Sequence, residues 1–122
     1  MKESTLMQKD CLFCKILQKQ IPSKMVGESD FAFAFRDIHP QAPEHILVVP
    51  KEHVASLNDL SSEQRLRLLP HLYELADRCA ADLGFRDRGY RTVINNQALA
   101  GQTVYHLHLH VLAGTALGTF GV

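Results

Sequence analysis

Three histidines alternate with apolar residues in the run Tyr105-His106-Leu107-His108-Leu109-His110-Val111. In an extended strand alternate side chains share a face, which predicts His106, His108 and His110 in one row, ~7 Å apart at two residues' rise. Tyr105, Leu107, Leu109 and Val111 then fill the opposite face and pack on a helix. Val, Ile and Thr pack on a sheet better than imidazoles do, so a row of histidines calls for a chemical reason. Two chemistries suit it. Imidazole is a ligand for zinc, copper and nickel, and neutral imidazole is a nucleophile toward phosphorus. Just upstream, Gly101-Gln102-Thr103 offers a hydroxyl and flexible backbone amides, a cradle for an anion that favours phosphate chemistry.

A second group is Cys11-Leu-Phe-Cys14, with Cys79 as the remaining cysteine. An odd count with one tight C-x-x-C pair is a poor disulfide framework and reads as a metal or redox pair in a cytosolic protein. The same spacing also fits two buried thiols at a helix start. The formal net charge of zero, from thirteen Lys+Arg and thirteen Asp+Glu, argues against sequence-blind binding to nucleic acid. No stretch approaches the roughly 20 apolar residues that span a bilayer, and MKESTLMQKD lacks the apolar core of a secretory signal. A cytoplasmic address is expected.

The elements that must hold these groups are legible in outline. Residues 1–10 read as a frayed tail and 11–122 as a single domain, a size that supports one hydrophobic core. Leu12, Phe13, Ile16 and Leu17 recur at helical spacing, and Ile21-Pro22-Ser23 closes that short helix. Residues 24–28 suggest an edge strand. Phe31-Ala-Phe-Ala-Phe35 alternates strictly and predicts a half-buried strand with its Phe face inward, while Ile46-Leu-Val-Val49 is a continuous apolar strand ended by Pro50. Ser61 with Gln64 has capping-box spacing and opens one long helix, which Gly84 stops. Its expected buried stripe is Leu66, Leu69, Leu72 or Tyr73, Ala76, Cys79 or Ala80, and Leu83, with a kink at Pro70. Further strands are expected over 90–94 and 103–112. Strands in runs with one long helix make an α+β domain with a largely antiparallel sheet.

His106-Leu-His108-Leu-His110-Val-Leu112 resembles the His-φ-His-φ-His-φ-φ signature of the histidine triad superfamily. Two longer runs, Ala100 to Ala113 and Asp37-Ile-His-Pro-Gln-Ala-Pro-Glu-His45-Ile-Leu-Val-Val-Pro-Lys51, resemble its histidine triad nucleotide-binding (Hint) branch. The resemblance covers about residues 11–114. It implies the HIT fold: a mostly antiparallel sheet of about five strands, one long helix and one short N-terminal helix. It implies a hydrolase of purine nucleoside 5′-phosphoramidates that passes through a covalent nucleotidyl-histidine. By resemblance His108 is the nucleophile, held by a main-chain carbonyl of its own strand. His110 contacts the phosphate, His106 supports the site, and His45 is the fourth histidine.

The same resemblance assigns Asp37 to the ribose hydroxyls and Phe13, Phe35, Ile38 and Leu47 to an apolar base pocket. Asn95, Gly101, Gln102 and Thr103 fall around the phosphate and leaving group. Relatives with the cysteine pair complete a structural zinc site with the His of a Pro-Lys-x-His segment and the first triad His. Here that set is Cys11, Cys14, His53 and His106, and no cofactor is required for catalysis. A symmetric homodimer and a purine mononucleotide ligand of the AMP or GMP type are implied, with no nucleic-acid or membrane partner. Hydrolysis of dinucleoside polyphosphates or acyl adenylates is the alternative chemistry. A nucleotide-binding regulator with incidental catalysis is the alternative class.

Overall fold

The structure, a computed structural model, describes residues 10–119; the tail expected over 1–10 falls almost wholly outside them. Helix α1 (Leu12–Leu17) precedes strands β1 (Met25–Glu28), β2 (Ala32–Arg36) and β3 (Glu44–Pro50). Helix α2 (Ser62–Leu83) follows, then β4 (Arg91–Val93) and β5 (Leu109–Ala113). The strands form one five-stranded sheet in the order β1-β2-β3-β5-β4, and every neighbouring pair is antiparallel. This is the α+β architecture expected of the sequence.

Strand periodicity divides the interior in two. Ala32, Ala34, Ile46, Val48, Leu109 and Val111 face α2 and join Leu68, Leu72, Leu75 and Ala76 in the larger core. The alternate residues Phe33, Phe35, Leu47 and Val49 face α1 and enclose Phe13 and Ile16. β2 is therefore buried on both sides, not half-buried: its phenylalanines meet the short helix and its alanines lie under the long one. Small residues let α2 approach closely. A Cβ on Gly27 would lie 2.6 Å from the Cys79 Sγ, so side-chain-free backbone is needed where α2 crosses β1.

Both ends of α2 match their signals. Ser61 Oγ accepts from the Gln64 N–H while Gln64 Oε1 accepts from the Ser61 N–H, and Gly84 ends the helix at φ 89°. Of the expected stripe, Leu72, Ala76, Cys79 and Ala80 are buried and Leu69 and Leu83 pack partly against the core, while Leu66 and Tyr73, 80% and 47% exposed, fall outside it. Leu68 and Leu75 are buried as well. Starting the period at Leu66 follows one of two apolar rows on this helix; the row that begins two residues later meets the sheet. Pro70 sits within the helix without interrupting it, on its exposed side.

The strand expected over 103–112 begins only at Leu109. β3 pairs with β5 from Glu44↔Ala113 to Val48↔Leu109, and Pro50 lies two residues beyond that last pair. Proline has no N–H to continue the ladder, and its carbonyl accepts instead from the His106 Nε2–H at 2.8 Å. Residues 103–108 therefore run as irregular chain, tied back by the Leu107 N–H to the Val54 carbonyl at 2.7 Å. Strict alternation fails there: His106, Leu107 and His108 are all buried, and Tyr105 is exposed instead of packing on the helix.

Candidate functional site: two histidine clusters

The irregular segment and the start of β5 divide the histidines between two neighbouring clusters. In the first, His45 on β3 and His110 on β5 are diagonal neighbours, because Leu47 pairs with His110 and His45 with Leu112. His45 Nδ1 accepts the Gln41 backbone N–H at 2.9 Å. That bond leaves the His45 proton on Nε2, which lies 3.0 Å from His110 Nδ1 and 3.4 Å from Asp37 Oδ2. His110 in turn carries its proton on Nε2. Asp37 is fixed by its other oxygen, which accepts the His39 N–H at 2.8 Å.

His108 sits beside this pair, its ring centroid 5.0 Å from that of His110. Its Nδ1–H donates to the His106 carbonyl at 2.7 Å, so the Nε2 lone pair is free. Burial drives His108 below the ordinary imidazole value, opposed by that carbonyl and by Asp37. Burial does the same to His45 and holds His110 at about 4, helped by the neighbouring His108 and His45. All three rings are therefore neutral near pH 7. Phe13 and His108 pack as a T-shaped pair, 5.1 Å between centroids.

Asp37, Ile38 and His45 line a cleft of about 580 Å³ that also takes in Pro22, Ser23 and Pro43. Ile38, 80% exposed, lines it, whereas Phe13, Phe35 and Leu47, expected beside Ile38 in a base pocket, are buried in the core cluster under α1 and do not line the cleft. Asn95 lies against Gly101, which needs its glycine: φ is 96°.

Gln102 has a role different from the expected ligand contact. It is 5% exposed, and its side-chain amide donates to the carbonyls of Ala55 and Val104 while its oxygen accepts the Gln97 N–H. It braces the loop in which Gln97 holds φ 76°, a left-handed conformation seldom adopted outside glycine. Thr103 is exposed and lines a separate hollow of about 420 Å³ with Cys11, His53 and Tyr105. Sequence reasoning missed Gln41, Gln97 and the Pro50 carbonyl, because all three act through main-chain groups or conformation.

The second cluster gathers Cys11, Cys14, His53 and His106, whose ligand atoms all lie within 4.8 Å of one another. His106 Nδ1 is 3.2 Å from Cys11 Sγ, 3.6 Å from Cys14 Sγ and 3.2 Å from His53 Nδ1. Cys14 Sγ is 3.6 Å from His53 Nδ1. Tetrahedral zinc with Zn–N near 2.05 Å and Zn–S near 2.3 Å has ligand–ligand edges of about 3.3 to 3.8 Å, which this set fits. The orientation fits as well. His106 donates its Nε2–H to the Pro50 carbonyl, which leaves the Nδ1 lone pair facing the thiols. Asp37, His45 and His110 also converge within 4.8 Å. There the Gln41 N–H puts a proton on the nitrogen that would have to bind a metal, so that group is built for hydrogen bonding.

Comparison with known proteins agrees with this architecture. A family model described as HIT domain matches residues 18–117. An uncharacterized HIT-like protein of Synechococcus elongatus is 48% identical over 111 residues, covering 91% of this chain and 96% of that protein. The purine nucleoside phosphoramidase of Escherichia coli is 40% identical over 112 residues, covering 92% and 93%. The crystal structure of a HIT family hydrolase from Legionella pneumophila superposes with a TM-score of 0.86 at 44% identity, covering 92% of this chain and 98% of that one.

Proposed function

Since the chain belongs to the HIT domain family, we propose that it is a nucleotide hydrolase of the purine nucleoside phosphoramidase type, acting through a nucleotidyl-histidine on His108. The observation that carries this reading is the hydrogen bond from His108 Nδ1–H to the His106 carbonyl. It fixes the tautomer and leaves a neutral Nε2 as the attacking atom. A relative at 40% identity bears the name purine nucleoside phosphoramidase, which supports the substrate class.

In the proposed reaction His108 Nε2 attacks the α-phosphorus and the P–N bond to the amine breaks as the amine nitrogen takes a proton from solvent water, so that the amine leaves neutral. Water then attacks the same phosphorus, the bond to His108 breaks, and the mononucleotide leaves. His110 presents an Nε2–H toward the phosphoryl oxygens, where charge develops, because His45 supplies a hydrogen to its Nδ1. Asp37 accepts from the ribose hydroxyls at the cleft edge, and the exposed Ile38 in the same cleft packs against the base.

Zinc at Cys11, Cys14, His53 and His106 would supply a structural cross-link between α1, the segment after β3 and the triad. No step of the chemistry passes through it. The assembly we propose is a homodimer. The exposed α2 row Leu66, Pro70 and Tyr73 and the short edge strand β4 leave apolar surface and unpaired backbone that a second copy would cover. Among the described residues no helix is long and apolar enough to cross a membrane, and a thiol-rich site suits the reducing cytoplasm.

The deciding experiment is turnover of adenosine 5′-phosphoramidate and an AMP–lysine conjugate beside diadenosine triphosphate, with intact-mass detection of a nucleotidylated protein after rapid quenching. Faster hydrolysis of the P–N substrates and an adduct lost in His108→Ala are expected. Preference for the dinucleotide would move the assignment to the polyphosphate hydrolases.

A further inference from the structure

Cys14 lies within α1, Cys11 is its N-cap and His106 belongs to the triad, whereas His53 lies in the bend that follows β3, before Val54. Main-chain bonds tie its neighbours. Lys51 N–H donates to the Phe31 carbonyl at 2.8 Å, and the Val54 carbonyl accepts the Leu107 N–H at 2.7 Å. The residue beside it, Glu52, is tied by side chains. One carboxylate oxygen accepts from Gln64 Nε2 at 2.9 Å, and the other accepts from Arg67 Nη1 at 2.6 Å.

Both donors belong to the first turns of α2. Gln64 closes the capping box with Ser61, so its side chain has one end on the helix start and the other on Glu52. Arg67 also grips Glu63 at i,i+4, which fixes its guanidinium against the helix. The Glu52 side chain is only 18% exposed. A helix terminus that needs capping in any case thus reaches across to hold the segment that delivers His53.

We infer that Glu52, Gln64 and Arg67 are positioning residues for metal binding: they hold His53 in place for zinc at the Cys11–Cys14–His53–His106 cluster. The inference rests on the zinc reading above and adds to it how a loop ligand is preorganised. Residues that orient metal ligands set affinity without touching the ion.

The test is zinc affinity measured by competition with a chromophoric chelator under reducing conditions. It compares wild type, Glu52→Ala and Arg67→Met, and both substitutions again in a His53→Ala background. Each of the two substitutions should weaken zinc binding about tenfold, the lower end for residues that orient ligands. They alter the local charge in opposite directions, so a purely electrostatic effect would strengthen binding in Arg67→Met. Without His53 neither substitution should change affinity further, since the coupling then has no ligand to act through. Opposite shifts, unchanged affinities, or equal losses in the His53→Ala background overturn the inference. Wild-type protein holding well under half an equivalent of zinc overturns the zinc reading, and the inference with it, before any variant is made. Arg67 is at the surface, and its variant keeps the test decisive should Glu52→Ala unfold.

Discussion

His106 holds His108 through its main chain and faces Cys11 through its side chain. Its carbonyl accepts the His108 Nδ1–H at 2.7 Å, while its Nδ1 lies 3.2 Å from Cys11 Sγ. One residue therefore belongs to two clusters, that of His108, the proposed nucleophile, by its carbonyl and that of the thiols by its ring. The division is made by Pro50, whose carbonyl anchors the third polar group of the same residue.

His108→Ala should abolish covalent turnover and leave nucleotide binding largely intact. The nucleophile acts in the transition state, whereas base and ribose contacts are made in the ground state too. A fall of at least roughly a thousandfold in kcat is expected from loss of a covalent nucleophile. Steady-state kinetics and nucleotide titration check the two halves separately; near-wild-type kcat would falsify the mechanism.

Asp37→Asn should raise KM more than it lowers kcat. The carboxylate has one oxygen on the His39 N–H and the other 3.4 Å from His45, which leaves it acceptor capacity for a diol. Ribose binding of that kind is mostly uniform between ground and transition states. Comparing ribo- with 2′-deoxyribonucleotides checks the assignment, and equal affinities in the wild type contradict it.

Much of this was legible in the sequence where the signal is local. The capping box at Ser61 and Gln64 and the glycine stop at Gly84 each need only a few neighbouring residues, and each forms. So do the five strands; the adjacency of His45 to His110 joins residues far apart in sequence and was expected only from the family resemblance. What failed depends on distant partners. The alternation of 103–112 says nothing of Pro50, which stops the ladder from the other strand. Two apolar rows on α2 cannot be ranked without knowing which meets Ala32 and Ala34. Gln102 looks like a ligand group by its place beside the triad; only the fold shows its amide taken up by Ala55, Val104 and Gln97.

Stability should fall as pH drops from about 6.5 toward 4. Burial holds His106 and His110 at about 4 in the folded chain, against an ordinary value of 6.5 that the unfolded chain keeps. Between those values the unfolded state binds more protons, so stability rises with pH. It is complete above the unfolded value and is lost progressively below it. Calorimetry across that range should give a lower Tm at the acid end, and the acid limb of kcat/KM should lie below 6.5, because His108 is also shifted down. A Tm that rises on acidification contradicts the neutral, buried imidazoles.

Leu66→Glu with Tyr73→Glu should convert a dimer to monomer without unfolding it. Both side chains are exposed, at 80% and 47%, so neither substitution buries a charge within the protomer. Between two copies they would place like charges in apolar contact. Sedimentation at micromolar concentration should give a dimer mass for the wild type and a monomer mass for the variant. A wild-type monomer removes the dimer.

Removing zinc should lower thermal stability more than it lowers activity measured well below the melting temperature. The cluster joins α1, the turn bearing His53 and His106, three segments far apart in sequence, so binding of the proposed zinc would be coupled to folding. Cys11 also caps α1, its Sγ accepting the Cys14 N–H at 3.4 Å, a bond that does not depend on an ion. His106 keeps its Nε2–H on the Pro50 carbonyl without the ion, so its main chain still holds the His108 tautomer. Protein purified without a histidine tag should contain about one equivalent of zinc by elemental analysis, the stoichiometry of a single tetrahedral site. Treatment with a strong chelator under reducing conditions should then bring down Tm by several degrees or more, while kcat at low temperature changes little. Well under half an equivalent in the untreated protein returns Cys11 and Cys14 to core packing, and parallel loss of kcat at low temperature would instead make the cluster part of the catalytic apparatus.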